Sequence, residues 1–255
     1  MTTPPASPGL STRRRLLIPL PLALTLLAGA ALGPASPAEA ATTGSGRAAT
    51  EARTVAPFEA VAVRDSIDVE VRQAAAASVT VTADDNLLPL LETVVEGGTL
   101  QLRFRRGESV RTRTPPKVVI EVERLRAVSS AGSGQVSVHG LRTTGFKLAM
   151  AGSGDAVLAQ LQAESLELSL AGSGDVRGDG TARAVKIGIA GSGDVDLGGL
   201  ESDEVEVSIA GSGDASVTAN KALRASIAGS GDIRYRGRVT QVHTSVVGSG
   251  RVVRR

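Results

Sequence analysis

The sequence predicts an all-β chain wound as a single-stranded parallel β-helix, a solenoid of about 18–20 residues per coil. Three observations carry this. First, Ala/Val-Gly-Ser-Gly occurs seven times, beginning at Ala131, Ala151, Ala171, Ala190, Ala210, Ala228 and Val247. Second, apolar residues fall in fixed columns at a period of two around each copy, the pattern of a half-buried strand. Third, the 255 residues include no cysteine, no Trp and only 2% aromatics. A conventional core leans on large aromatic side chains, and an exported domain often on disulfides. A stack of like coils needs neither.

The columns appear when the copies are aligned on their first residue. One position before it stand Ser130, Met150, Leu170, Ile189, Ile209, Ile227 and Val246. Three before stand Val128, Leu148, Leu168, Ile187, Val207, Ala225 and Thr244; five before, Arg126, Phe146, Leu166, Val185, Val205, Leu223 and Val242. Beyond the glycines, Val136, Ala156, Val176, Val195, Ala215, Ile233 and Val252 open a second short strand. Each repeat is thus a strand, a Gly-Ser-Gly corner, a second strand and a return marked by Gly140, Gly180, Gly199 or Gly237. Twenty residues are too few for a helix pair or a four-stranded propeller blade. They suit one coil, stacked on the next at about 4.8 Å.

Two outward columns follow. Four positions before the motif stand Ala127, Lys147, Glu167, Lys186, Glu206, Arg224 and His243, with charges alternating in sign. Stacking sets each beside its opposite, worth about 0.2–1 kcal/mol per pair. Two before stand Ser129, Ala149, Ser169, Gly188, Ser208, Ser226 and Ser245, a small-residue stripe at a tight outer face or a flat docking strip.

The corner glycines, Gly152, Gly154, Gly172, Gly174, Gly191, Gly193, Gly211, Gly213, Gly229 and Gly231, supply backbone conformations closed to other residues. The Ser between them suits a hydroxyl ladder or a bond to its own turn. After each corner comes Gln135, Asp155, Asp175, Asp194, Asp214, Asp232 or Arg251. Five carboxylates one rung apart repel by about 1 kcal/mol per neighbouring pair even in water. They must face solvent, accept backbone N–H bonds or hold cations, and an Asp capping its own turn is the expected arrangement. The row ends in Gln135 and Arg251, and Arg251 is placed to pair with Asp232. Asp155, Asp175, Asp194, Asp214 and Asp232 are the calcium candidates. One Asp per coil is thin for an ion taking six to eight oxygens, and the spacing departs from the nonapeptide calcium roll. No metal and no cofactor is expected.

Catalysis has little to stand on. Hydrolysis by paired carboxylates needs two unlike acids, one with a raised pKa. Here the acids are equivalent turn residues. His139 and His243 are remote from each other, Tyr235 is the only Tyr, and no Ser-His-Asp order or phosphate loop is present. The alternative kept is a β-helix carbohydrate-active enzyme acting on an acidic polysaccharide, with Asp194 and Asp214 as its test residues.

The N-terminus carries Arg13, Arg14 and Arg15, an apolar run over 16–33 and Ala38-Glu39-Ala40. This order predicts a signal peptide over 1–40, cleaved after Ala40. The arginines loosely match a twin-arginine signal, so the general and twin-arginine routes both stay open. Without cysteine the chain is not a lipoprotein. Three Arg and one Glu leave with the peptide, so residues 41–255 carry 25 basic and 25 acidic residues. Such a balance gives no reason to expect nucleic acid. Arg103, Arg105, Arg106, Arg111, Arg113 and Lys117 read as a solvated face.

Residues 41–54 read as a flexible lead, 55–127 as irregular first coils or a cap, and 128–255 as the regular coils. A cap is expected because an open stack presents a pairing edge. The order "FEAVAVRDSIDVEVRQ", "VTVTADDNLLPLLETVVEGGTLQLRF", "VVIEVERLRAVSSAGSG" and then the Gly-Ser-Gly-Asp coils resembles the putative auto-transporter adhesin head (GIN) domain family, a bacterial domain of unknown function, over about Phe58 to Val247. The resemblance implies a right-handed parallel β-helix, export to the periplasm, cell surface or medium, and no catalytic residues. No membrane barrel follows the last coil, five residues from the end, so self-translocation is not expected. The function expected is a non-catalytic, adhesin-like or structural protein of the cell envelope. Its partner is an unidentified protein or glycan, with no transmembrane segment in the mature chain and with self-association through the solenoid ends as a further possibility.

Overall fold

A computed structural model describes residues 41–255; the expected signal peptide lies outside them. The strands of the first half are β1 (Thr42–Thr43), β2 (Ala48–Ala52), β3 (Ala60–Arg64), β4 (Asp68–Gln73), β5 (Ser78–Asp84), β6 (Leu91–Glu96), β7 (Thr99–Phe104), β8 (Val110–Arg111) and β9 (Lys117–Val122). The second half holds β10 (Ala127–Gly132), β11 (Val136–His139), β12 (Arg142–Gly152), β13 (Ala156–Gly172), β14 (Val176–Gly191), β15 (Val195–Gly211), β16 (Ala215–Gly229), β17 (Asp232–Arg236), β18 (Gln241–Gly248) and β19 (Arg251–Arg254).

From β10 onward every pairing is parallel, as a solenoid requires. The register runs Gly132, Gly152, Gly172, Gly191, Gly211, Gly229, Gly248 from rung to rung. The aligned columns of the sequence are therefore the physical columns of the stack. Strands of up to 17 residues run through the return without a break. The interior is filled by Val128, Leu148, Leu168, Ile187, Val207 and Ala225 in one column and Val136, Ala156, Val176, Val195, Ala215 and Ile233 in another, all buried. Leu141, Leu161 and Leu200 fill the return side. Arg126 departs from its expected inner column. It is turned outward to Glu59 at 2.6 Å, while the adjacent Leu125 is buried.

The register continues across the expected boundary at 127. Strand β3 pairs in parallel with β10, Ala60 to Ala127 through Arg64 to Ala131, and β4 with β11. Asp65-Ser66-Ile67-Asp68 is thus a corner in register with Gly132-Ser133-Gly134-Gln135, although it holds no glycine. Asp65 takes the left-handed conformation at φ 65°, which Asp tolerates better than most residues, and its Oδ2 accepts the N–H of Phe104 at 3.0 Å. Ile67 replaces the second glycine and is fully buried.

Beyond this coil the stack closes. Strands β7 and β9 add in parallel to β3 and β4. Then β6 pairs antiparallel to β7, β5 to β9 and β2 to β5. The N-terminal section is both a first coil and a cap.

Within residues 41–54, expected as a flexible lead, the chain forms two paired strands. Strand β1 pairs with β8 and β2 pairs with β5. The pin is Asp84, fully buried, whose carboxylate accepts N–H bonds from Gly46 at 2.8 Å, Arg113 at 2.8 Å and Thr114 at 3.1 Å. Burial alone would push its pKa up, but the three backbone N–H groups outweigh it and hold the carboxyl below its usual value. A depressed folded-state pKa means stability that is complete above the unfolded value of about 4 and is lost as pH falls through the folded value. Asp84→Asn is therefore expected to lower the melting temperature at neutral pH and to flatten the acid limb of the melting curve. Thermal melts across the acid range check both.

Candidate functional site

Two features run the length of the stack: a groove on the outer face and the carboxylate row at the corners.

The groove encloses about 760 Å3 and is bounded by residues from Ala60 and Ala127 to Gln241 and His243. It lies between two outward columns of the long strands. One is the small-residue column Gly145, Ser165, Ala184 and Ala222, interrupted by Glu204; the other is the charged column Lys147, Glu167, Lys186, Glu206 and Arg224. Buried Phe146, Leu166, Val185, Val205 and Leu223 lie beneath, on the alternate side of the pleat. The stripe from Ser129 to Ser245 is outward as expected but is not part of this hollow. Concavity depends on where the sheet bends, which column spacing does not encode.

The alternating charges pair between rungs, Lys147 with Glu167 at 2.7 Å and Lys186 with Glu206 at 3.2 Å. Lys147, by hydrogen bond and charge, and the more distant Lys186 hold the Glu167 carboxyl below its usual pKa. All four side chains are well exposed, so each pair contributes only a fraction of a kcal/mol. Their geometric effect is larger, because they hold long side chains along one wall.

At the corners the carboxylates bond between coils rather than within their own turn, which corrects the expected arrangement. Asp155 Oδ1 accepts the N–H of Asp175 at 2.9 Å, Asp194 that of Asp214 at 2.8 Å and Asp214 that of Asp232 at 2.8 Å. Asp175 takes the N–H of Asp194 at 3.3 Å and Asp232 that of Arg251 at 3.1 Å. Nor does the row stop at Gln135. Asp68, one rung further, accepts the N–H of Gln135 at 2.8 Å. One oxygen of each acid is thus committed to holding rungs together. Arg251 pairs with Asp232 at 3.2 Å, and Arg234 bridges Asp214 at 2.6 Å and Asp232 at 3.3 Å.

Burial would raise the Asp214 pKa, but the Asp232 N–H and Arg234 prevail and hold it low. A general acid needs the opposite direction. Among the described residues no group of three or more His, Cys, Asp or Glu is arranged to hold a metal ion.

The corner itself explains the two glycines. Gly172, Gly191, Gly211 and Gly229 have φ between +133° and +142°. A Cβ at any of them, or at Gly174, Gly193, Gly213 or Gly231, would lie closer than 3.0 Å to the carbonyl oxygen of the glycine one rung back. The serines between donate their backbone N–H to that stack, as Ser173 does to Gly152 at 3.0 Å and Ser212 to Gly191 at 2.9 Å. A serine hydroxyl contact joins Ser66 and Ser133 at 2.7 Å.

With this geometry in view, the comparisons are specific. The family model described as putative auto-transporter adhesin, head GIN domain, matches residues 57–239. A putative adhesin from Bacteroides fragilis has a similar fold, with a TM-score of 0.78 at 24% identity over 84% of this chain and 99% of that one. A putative lipid binding protein from Parabacteroides distasonis gives 0.71 at 28%, covering 85% and 100%. A putative adhesin from the same organism gives 0.66 at 25%, with the same coverages. No curated protein matches.

Proposed function

The chain belongs to the putative auto-transporter adhesin, head GIN domain family, and from that premise we propose that it is an exported, non-catalytic solenoid that binds an extended ligand of the cell envelope or surface along its groove. The observation that carries this is the groove itself. It crosses the successive rungs of the stack between a small-residue wall, broken at Glu204, and a wall of charges that alternate in sign. A site of that shape matches a chain-like ligand, whose units recur as the rungs do, better than a compact metabolite, which calls for a closed apolar pocket.

The carboxylates support a structural role, since each is spent on an inter-coil N–H bond. The signal-like N-terminus supports export. The likeness to a protein described as lipid binding adds amphiphiles to the protein and glycan ligands worth testing.

The experiment is protease shaving of intact cells, followed by detection of the chain and then by binding assays on the purified protein with envelope glycans and lipids. Loss of the chain while periplasmic markers survive is expected for a surface adhesin. Survival until the outer envelope is breached would put the role in the periplasm. Turnover of any polysaccharide in the same assays would overturn the non-catalytic reading.

A further inference from the structure

The two ends of the stack are treated differently, and the difference identifies a second binding surface, independent of the groove. At the N-terminal end antiparallel strands close the sheet. At the other end β18 pairs only with β16, and β19 only with β17, among the described residues. Every residue of β18 is exposed. Val242 and Val246, which continue inner columns, are each 41% exposed, and Val247 is 71% exposed. Each earlier rung covers these columns with the next coil; here the apolar ends and a row of backbone N–H and C=O groups face outward.

The charge at this end of the stack is one-sided. After Asp232 the sequence holds six arginines and no acidic residue. Arg234 and Arg251 are bound by Asp214 and Asp232. Arg254 reaches the carbonyl of Gly237 at 2.9 Å, which leaves its charge unneutralised. Among the described residues no ion pair engages Arg238 or Arg255. An edge that were merely being protected from aggregation would carry charge on the strand itself; β18 holds no Lys, Arg, Asp or Glu, only Gln241 and His243 beside apolar and hydroxylic residues.

We propose that β18 is a docking edge for an acidic, extended segment of another protein, which adds as the next strand, sets alternate apolar residues over Val242, Thr244 and Val246, and presents Asp or Glu to the arginines. Main-chain bonds give such strand addition its affinity and the alternating side chains its specificity. A second copy docking tail to tail would bring the two arginine clusters together. A lipid surface would match the charge and the valines but leave the edge N–H and C=O groups without partners.

The test is fluorescence anisotropy of labelled peptides with the purified protein. A Val/Glu alternating peptide is expected to bind about tenfold or more tighter than its Val/Lys counterpart, and to weaken as salt rises. A proline at its centre should abolish binding, because proline cannot complete the ladder. Arg254→Glu with Arg255→Glu should erase the preference between the two peptides. Val246→Lys should block both peptides while circular dichroism stays unchanged. Equal binding of both peptides, binding insensitive to proline, or no binding at all overturns the proposal. So does dimerisation in sedimentation that Val246→Lys abolishes, or capture by anionic vesicles without peptide binding. None of these outcomes depends on whether the groove binds a ligand.

Discussion

Gly211→Ala is expected to remove about 3 kcal/mol or more of stability, a large effect for adding one methyl group. Two costs combine. Gly211 sits at φ +139°, and holding a non-glycine residue in such a region costs about 1–3 kcal/mol. The added Cβ also meets the Gly191 carbonyl oxygen closer than 3.0 Å, with the Gly191 carbon and nitrogen just behind it. These are backbone atoms fixed by the ladder, so the clash cannot be relieved by a rotamer change. Gly213→Ala separates the two costs. Gly213 lacks the positive φ but meets the Gly193 carbonyl, so a smaller loss is expected. Gly188→Ala is the control, since its nearest neighbour would be the Leu168 oxygen at 4.0 Å. There the gain in strand propensity should leave stability unchanged or raised by up to about 1 kcal/mol. Urea unfolding of the three variants gives the order. If Gly211→Ala proves as mild as Gly188→Ala, the recurrence of Gly-Ser-Gly has some cause other than the close stacking of corners.

The regular coils were legible in the sequence because repetition turns a weak signal into a strong one. Leu168 alone says little, but Leu148, Leu168, Ile187 and Val207 at one offset define an inner column. The alternation of Lys147, Glu167, Lys186 and Glu206 was readable for the same reason.

What failed to show has identifiable causes. The corner at Asp65 escaped detection because its left-handed residue is an Asp, and because Ile67 stands where later coils require glycine. The second glycine of the later coils sits against the carbonyl one rung back, as Gly134 does against that of Ile67, and Ile67 instead turns its side chain into the core. The lead over 42–52 looked flexible because Ala, Thr and Gly give little periodicity, whereas its order comes from Asp84, about forty residues away in sequence. The direction of the carboxylate bonds was hidden because spacing reports that an Asp follows each corner, not whether its oxygen reaches its own turn or the next coil. The groove was hidden because column spacing does not report which outward columns flank a hollow. Gly145, Ser165 and Ala184 carry no mark that separates them from the neighbouring small-residue stripe.

Phe146→Ala should cost about 3–5 kcal/mol, against a total of about 5–15 kcal/mol for an ordinary domain. Phe146 is one of three Phe in the chain and is 1% exposed. Its column offers Leu166 on the following rung, but on the preceding rung Arg126 is turned out to Glu59. The large ring therefore fills width that no neighbour is placed to reclaim, and the cavity left by Ala should persist. Phe146→Leu keeps most of the volume and should cost under about 1.5 kcal/mol. The distribution of the damage tells as much as its size. In a solenoid each coil packs only on its neighbours, so the lost energy belongs to the coils on either side of residue 146. Hydrogen exchange is expected to accelerate across β10, β12 and β13 while amides of β15 and β16 keep their protection. A uniform acceleration from β10 to β16 would mean that the stack opens as one cooperative unit. The inter-coil bonds of the Asp row would then add to the backbone ladder as a source of that cooperativity, since this side-chain contact is repeated through consecutive coils from Asp155 to Arg251.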